Sequence, residues 1–206
     1  MLYLLSIVIG YLFGCAHGSQ LVGKLKKVDI KKSGVKNSGA SNTTILLGWK
    51  YGAVVAFIDI LKASLSVVLL SYIVNLYDLT ADITILLVYM NVFFVIIGHN
   101  YPITMSFKGG KGTASLVGAL LVLDWKIAVI SIGALLLFTF ITDYLIIGVL
   151  LMYLSFVVTT FYYFWIAPGF IAFILFVISI VSHKENYKRI LVKEETKLSS
   201  LFGKKP

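Results

Sequence analysis

From Thr113 to Ser182 the charged residues are Asp124, Lys126 and Asp143, and the chain before Thr113 carries three more apolar runs, 2–22, 51–76 and 83–98. A spanning helix needs roughly 20 apolar residues, with a usable range of about 17–25, so these runs fit a bundle of helices crossing a bilayer. With 59% hydrophobic residues and a mean hydropathy of +0.96, the chain holds more apolar surface than a soluble domain can hide. We expect an all-α integral membrane protein, with residues 1–206 forming a single membrane-embedded domain. The segment 113–182 divides either into two long spans, giving five in all, or into four at DWK (124–126), at TDY (142–144) and near APG (167–169). Four is preferred, because Asp124 and Lys126 in mid-bilayer are costly, and the expectation is seven spans with five as the alternative. The 113–123 piece then crosses only by tilting or where the bilayer thins. The first run lacks a basic n-region and reads as a retained span. One cysteine allows no intrachain disulfide.

The net charge of +9 is concentrated. Seven lysines lie between positions 24 and 50, two at Lys108 and Lys111, and seven basic residues follow position 183. Lys and Arg gather on the cytoplasmic side, so all three segments should face the cytoplasm, and with them the C-terminus. YDLTAD (77–82), with two aspartates and no lysine, should face outside. Nucleic acid is the usual partner of a basic chain, but these segments are short and tethered to apolar spans, so none is expected.

The second polar segment, GHNYPITMSFKGGKGTAS (98–115), interrupts the apolar pattern with four glycines, two lysines and His99. In FKGGKG the glycines permit close approach of a ligand, successive amides form a concave anion site, and a helix starting at Thr113 aims its positive end there. Lys111 adds a point charge. Lys111 with the amides of Gly109, Gly110 and Gly112 is therefore a candidate phosphate cradle; a flexible basic turn is the other reading. Pro102 stiffens the loop entry, and His99 orders the loop rather than acting as a base. The third segment, HKENYKRILVKEETKL, places His183, Asn186 and Arg189 at helical spacings with Glu185 alongside, facing either a pocket or solvent. The first, residues 23–48, has NSGASN at its centre, a donor-rich turn holding Asn37, Ser38, Ser41 and Asn42. Inside the second span Asp59 and Lys62 lie three apart, as a functional pair or a helix lock. His17 has no evident partner, and histidines at 17, 99 and 183 do not have a metal-ligand spacing.

Together the segments resemble the acyl-phosphate-dependent glycerol-3-phosphate acyltransferases of bacterial membranes. GHNYPITMSFKGGKG is similar to that family's GHxFPxxxxFKGGKG, and HKENYKRILVKEETK to HxENxxRxLxxxExK. The first segment is a partial match to GKxxxxDIRxxGSGNPGATNxxR, and Asp59 and Lys62 to DxxKG. The resemblance implies transfer of a fatty acyl group from acyl phosphate to the 1-hydroxyl of sn-glycerol 3-phosphate, in phospholipid biosynthesis at the cytoplasmic face of the cell membrane. Neither a cofactor nor a metal is implied. Carried over residue by residue, it implies catalytic roles for Lys111, His183, Asn186 and Asn42. Substrate contacts fall to Asn37, Gly39, Ser41, His99, Lys108, Gly109, Gly110, Gly112 and Arg189. Where the pattern has GSGN this chain has Gly34, Val35, Lys36 and Asn37, and Ile45 stands at an arginine position. Lys36 offers a replacement charge only if its loop folds back. The alternatives are a paralogue that binds acyl phosphate or lipid without turnover, and a small transporter of phosphorylated solutes.

Overall fold

The computed structural model describes residues 1–202, all helix and connecting loop; Lys204 and Lys205 lie outside the described residues. The chain divides into two compact units, Met1–Leu123 and Asp124–Pro206.

The first unit contains α1 (Leu2–Cys15), α2 (Gly18–Lys26), α3 (Ala40–Leu47), α4 (Trp49–Val74), α5 (Ala81–Asn100), a 3-10 turn at Ile103–Met105, and α6 (Thr113–Leu123). Lipid offers helices no hydrophobic reason to associate, so they pair through close backbone contact and polar links. A side chain on Gly14 would collide with the Val95 carbonyl of α5, and one on Gly118 with the Ile60 carbonyl of α4. Ser64 Oγ donates to the Gly118 carbonyl at 2.7 Å. Deeper in the unit Ser66 Oγ donates to Asn91 Oδ1 at 3.0 Å, and Asn91 Nδ2 to the Ser6 carbonyl at 3.3 Å, which ties α1, α4 and α5 together. Phe57, Leu61, Leu65 and Val68 stay exposed on α4, an apolar surface suited to lipid.

The second unit contains α7 (Trp125–Thr142), α8 (Leu145–Tyr163), α9 (Ile166–Ser182), α10 (Lys184–Leu191) and α11 (Leu198–Phe202). Asp124 caps α7 by accepting from the amides of Lys126 at 2.8 Å and Ile127 at 3.1 Å. α8 packs on α7 and α9 and buries Met152, Tyr153 and Phe156. The α7–α8 turn holds Asp143 at φ 62. Its carboxylate accepts from the Ser199 amide at 2.8 Å and the Ser199 hydroxyl at 2.6 Å, fixing the start of α11.

Segment 113–182 is thus four helices. Two of its breaks fall where the sequence put them, and the third, expected near Ala167–Gly169, is at Phe164–Trp165. Pro168 lies in the first turn of α9, where a missing N–H breaks no helical hydrogen bond. The first run is also not continuous, since α1 ends at Cys15 and α2 begins at Gly18. Among the described residues, five stretches are long and apolar enough to cross a membrane: Leu2–Lys26, Trp49–Val74, Ala81–Met105, Trp125–Thr142 and Leu145–Tyr163. α9 and α10, bent by 52°, make a sixth if counted as one span, and Thr113–Leu123 is a shorter apolar helix.

Candidate active site

The glycine loop begins where α5 ends. The Gly109 amide donates to the Asn100 carbonyl at 2.9 Å and the Gly110 amide to the His99 carbonyl at 3.0 Å. This corrects the sequence expectation that both amides bind a phosphate, because each is committed to closing the loop on α5. The two residues must still be glycine: a Cβ on Gly110 would run into His99 Nε2, and one on Gly109 into the His99 carbonyl and Pro102. Gly112, at φ 81, turns the chain into α6, and half-buried Lys111 stands just before that helix's positive end.

Beneath the loop lies a buried charged cluster. Lys62 Nζ is 3.0 Å from Asp59 Oδ1 and 2.8 Å from His99 Nδ1. It also donates to the Gly14 carbonyl at 3.0 Å and to the Ala16 carbonyl, capping the C-terminal end of α1. Asp59 Oδ1 accepts from the Gly18 amide at 3.4 Å. The His17 ring stacks on His99 with centroids 4.5 Å apart, which supplies the partner that the sequence did not reveal. His17, Asp59 and His99 each offer a ligand atom within 4.8 Å of the others, a grouping hidden by their linear spacing. His183 belongs to the other unit. Of this grouping, Asp59 and His99 both meet the Lys62 ammonium. With that ammonium donating to Nδ1, the proton of a neutral His99 ring resides on Nε2, against Gly110.

Asn42 organises the first segment. It is fully buried, its Oδ1 accepts from the Val35 amide at 3.0 Å, and its Nδ2 faces the carbonyls of Ile30, Ser33 and Asn37 at 2.7–2.9 Å. Both ends of its amide are therefore engaged with the loop backbone. Gly39 caps α3, its carbonyl accepting from the Thr43 amide at 3.1 Å, while Ser41 is exposed and Asn37 half-buried. Lys31 Nζ donates to the Met105 carbonyl at 2.6 Å, joining the first segment to the second. Between them opens a cleft of about 440 Å³ lined by Lys31, Lys32, Lys36, Lys108 and Gly109.

In the second unit His183 stands at the bend between α9 and α10, buried, with Nδ1 2.9 Å from the Ser179 carbonyl. A carbonyl only accepts, so in the neutral ring Nδ1 carries the proton and Nε2 the lone pair. Asn186 Nδ2 and Arg189 Nε both donate to Glu195, each at 2.6 Å. Glu185, which the sequence placed alongside these residues, instead pairs with Lys188 at 3.2 Å on the exposed side. Glu195 is the functional candidate that the sequence reading passed over, although it occupies the glutamate of the third motif.

The model of the family described as glycerol-3-phosphate acyltransferase matches residues 4–193. Glycerol-3-phosphate acyltransferase 1 of Oceanobacillus iheyensis is 61% identical over 205 residues, covering 100% of this chain and 99% of that protein. The glycerol-3-phosphate acyltransferase of Bacillus subtilis is 32% identical over 206 residues, covering 98% and 100%. Among solved structures, the glycerol 3-phosphate form of PlsY (YgiH), an integral membrane glycerol 3-phosphate acyltransferase, superposes with a TM-score of 0.85 at 28% identity, covering 98% of this chain and 99% of that one. Its lysphosphatidic acid form gives 0.81 at 26%, covering 97% of each. With the three motif segments folded as described and the family model spanning nearly its full length, the chain belongs to the glycerol-3-phosphate acyltransferase family of integral membrane proteins.

Proposed function

We propose that the chain transfers a fatty acyl group from acyl phosphate to glycerol 3-phosphate, giving 1-acylglycerol 3-phosphate and inorganic phosphate for phospholipid synthesis. The 1-hydroxyl oxygen bonds to the acyl carbon, the bond from that carbon to the phosphate oxygen breaks, and the hydroxyl proton leaves with the phosphate. The observation that carries this reading is the lysine-lined cleft against the glycine loop, with the loop locked on His99. Both reactants are phosphorylated, and holding two reactants in place supplies roughly 7–11 kcal/mol in favourable cases. In this reading Lys111 and Lys108 neutralise substrate phosphate, while His99 and Asn42 hold the loops. His183, Asn186 and Arg189 carry the substrate-positioning roles that the third motif implies. Residues 1–206 act as one acyltransferase domain with seven spans in a bacterial plasma membrane, the basic segments and C-terminus facing the cytoplasm. Impermeant maleimide on intact cells should label a cysteine at position 78 but none at 108; the reverse defeats the topology. Purified protein in detergent, given palmitoyl phosphate and labelled glycerol 3-phosphate, should form labelled lysophosphatidate. Absence of product overturns the enzyme reading, and binding of acyl phosphate without product favours the non-catalytic paralogue.

A further inference from the structure

Lys36 sits in the left-handed region, at φ 53. A β-carbon is unfavourable there, and glycine, asparagine or aspartate is the ordinary occupant. The position is rigidly defined. Asn42 holds the Ser33 and Asn37 carbonyls on either side, and the Lys36 amide donates to the Ser33 carbonyl at 3.1 Å. Strain of this kind persists where the surroundings over-determine it, and it gathers at ligand clamps. The loop also folds back on α3: a Cβ on Gly34 would stand 3.2 Å from Leu46 Cδ2, beside Ile45.

Around the same opening stand Lys31, Lys32 and Lys108. Lys31 is turned to the Met105 carbonyl, and Asp29 pairs with Lys32 alone, at 3.4 Å. Among the described residues neither Lys36 nor Lys108 has an ion-pair partner. Two cations without a counter-ion on one cleft, Lys36 and Lys108, repel each other, and an anion between them relieves that repulsion. We propose that Lys36 is a binding residue for a phosphate monoester dianion in this cleft. That the dianion belongs to a substrate rests on the acyl-transfer reading; the existence of the site does not.

Lys36→Gly is a clean test, because glycine is at ease at this φ and the variant should melt no lower than the natural chain. Titration calorimetry on the full chain in detergent, with inorganic phosphate and with glycerol 3-phosphate, should show both binding at least 10-fold more weakly, the scale of a lost charge-assisted hydrogen bond. Lys36→Asn, which also tolerates the left-handed region, should lose as much, and Lys36→Arg should keep most of the affinity. Phosphate affinity unchanged in Lys36→Gly, no phosphate binding by the natural chain, or full affinity in Lys36→Asn would each overturn the proposal. Because phosphate binding needs no acyl transfer, a chain that loses phosphate on Lys36→Gly yet makes no lysophosphatidate defeats the acyltransferase reading and leaves the site standing. Normal transfer with unchanged phosphate binding defeats the site alone.

Discussion

Replacing Lys62 with methionine tests whether the cluster under the glycine loop holds the first unit together. The Lys62 ammonium meets Asp59, His99 and the carbonyls of Gly14 and Ala16. Without it the Asp59 carboxylate, 1% exposed, keeps among its described partners only the Gly18 amide at 3.4 Å and the His99 ring, whose Nδ1 lies 3.8 Å from Oδ1. Breaking a buried pair from one side costs about 3–5 kcal/mol, and at about 2–4 °C per kcal/mol for a chain of this size the melting temperature should fall by about 6–20 °C. The double variant Asp59→Leu, Lys62→Met removes the stranded charge but not the loss to the two carbonyls, so it should recover a large part of that drop. Melting followed by the fluorescence of a thiol-reactive probe on Cys15, buried in the folded chain, reads both. A Lys62→Met variant melting within 2 °C of the natural chain refutes the reasoning, as does a double variant no more stable than the single; the 2 °C limit is the lower edge of the shift expected for roughly 1 kcal/mol.

Lys111→Ala should lower kcat/KM by roughly 10- to 150-fold at unchanged melting temperature, from a lost charge-assisted hydrogen bond of about 1.5–3 kcal/mol; wild-type kinetics in the radiolabel assay would remove Lys111 from the site. Asn42→Ala deprives three carbonyls and the Val35 amide of their partner, and at about 1–3 kcal/mol per stranded group the loop 28–38 should become a protease target; an uncut loop contradicts it. Hydrogen bonds from Ser199 hold the Asp143 carboxyl below its ordinary value, so its ionised form favours docking of α11, fully above the unfolded value of about 3.9 and lost as pH falls through the lowered one. A spin label at position 197 should therefore stay ordered down to about pH 4 and loosen below it, and equal mobility at pH 3 and pH 7 would show that the contact does not restrain the helix.

The apolar runs and their polar interruptions were legible because spacing along one helix is local information, and so was the third motif's helix. What escaped notice depends on chain reversals. Glu185 precedes Asn186 directly and looked like its acid, yet a left-handed residue at Lys193 (φ 60) returns the chain, and Glu195 takes both Asn186 and Arg189. His17 finds His99 only after α1 and α5 have packed backbone to backbone. The glycine amides were misassigned for a related reason. A run of glycines announces freedom to approach something, and here the thing approached is the end of α5 itself.

That distinction changes what the loops contribute to binding. Lys36, Ser106 and Phe107 all have φ between 53 and 57, and left-handed backbone costs roughly 1–2 kcal/mol per residue. A turn free to relax would abandon these conformations. It is prevented by Asn42 on one side and, on the other, by the Phe107 amide on the Pro102 carbonyl at 2.9 Å and the Lys108 amide on the Met105 carbonyl at 3.2 Å. The strained residues flank or include the cations Lys36 and Lys108. Fixing the backbone under a cation lowers the entropy lost when a dianion binds, so under the proposed reading the affinity of the cleft depends on where the lysines are rooted as much as on their charge.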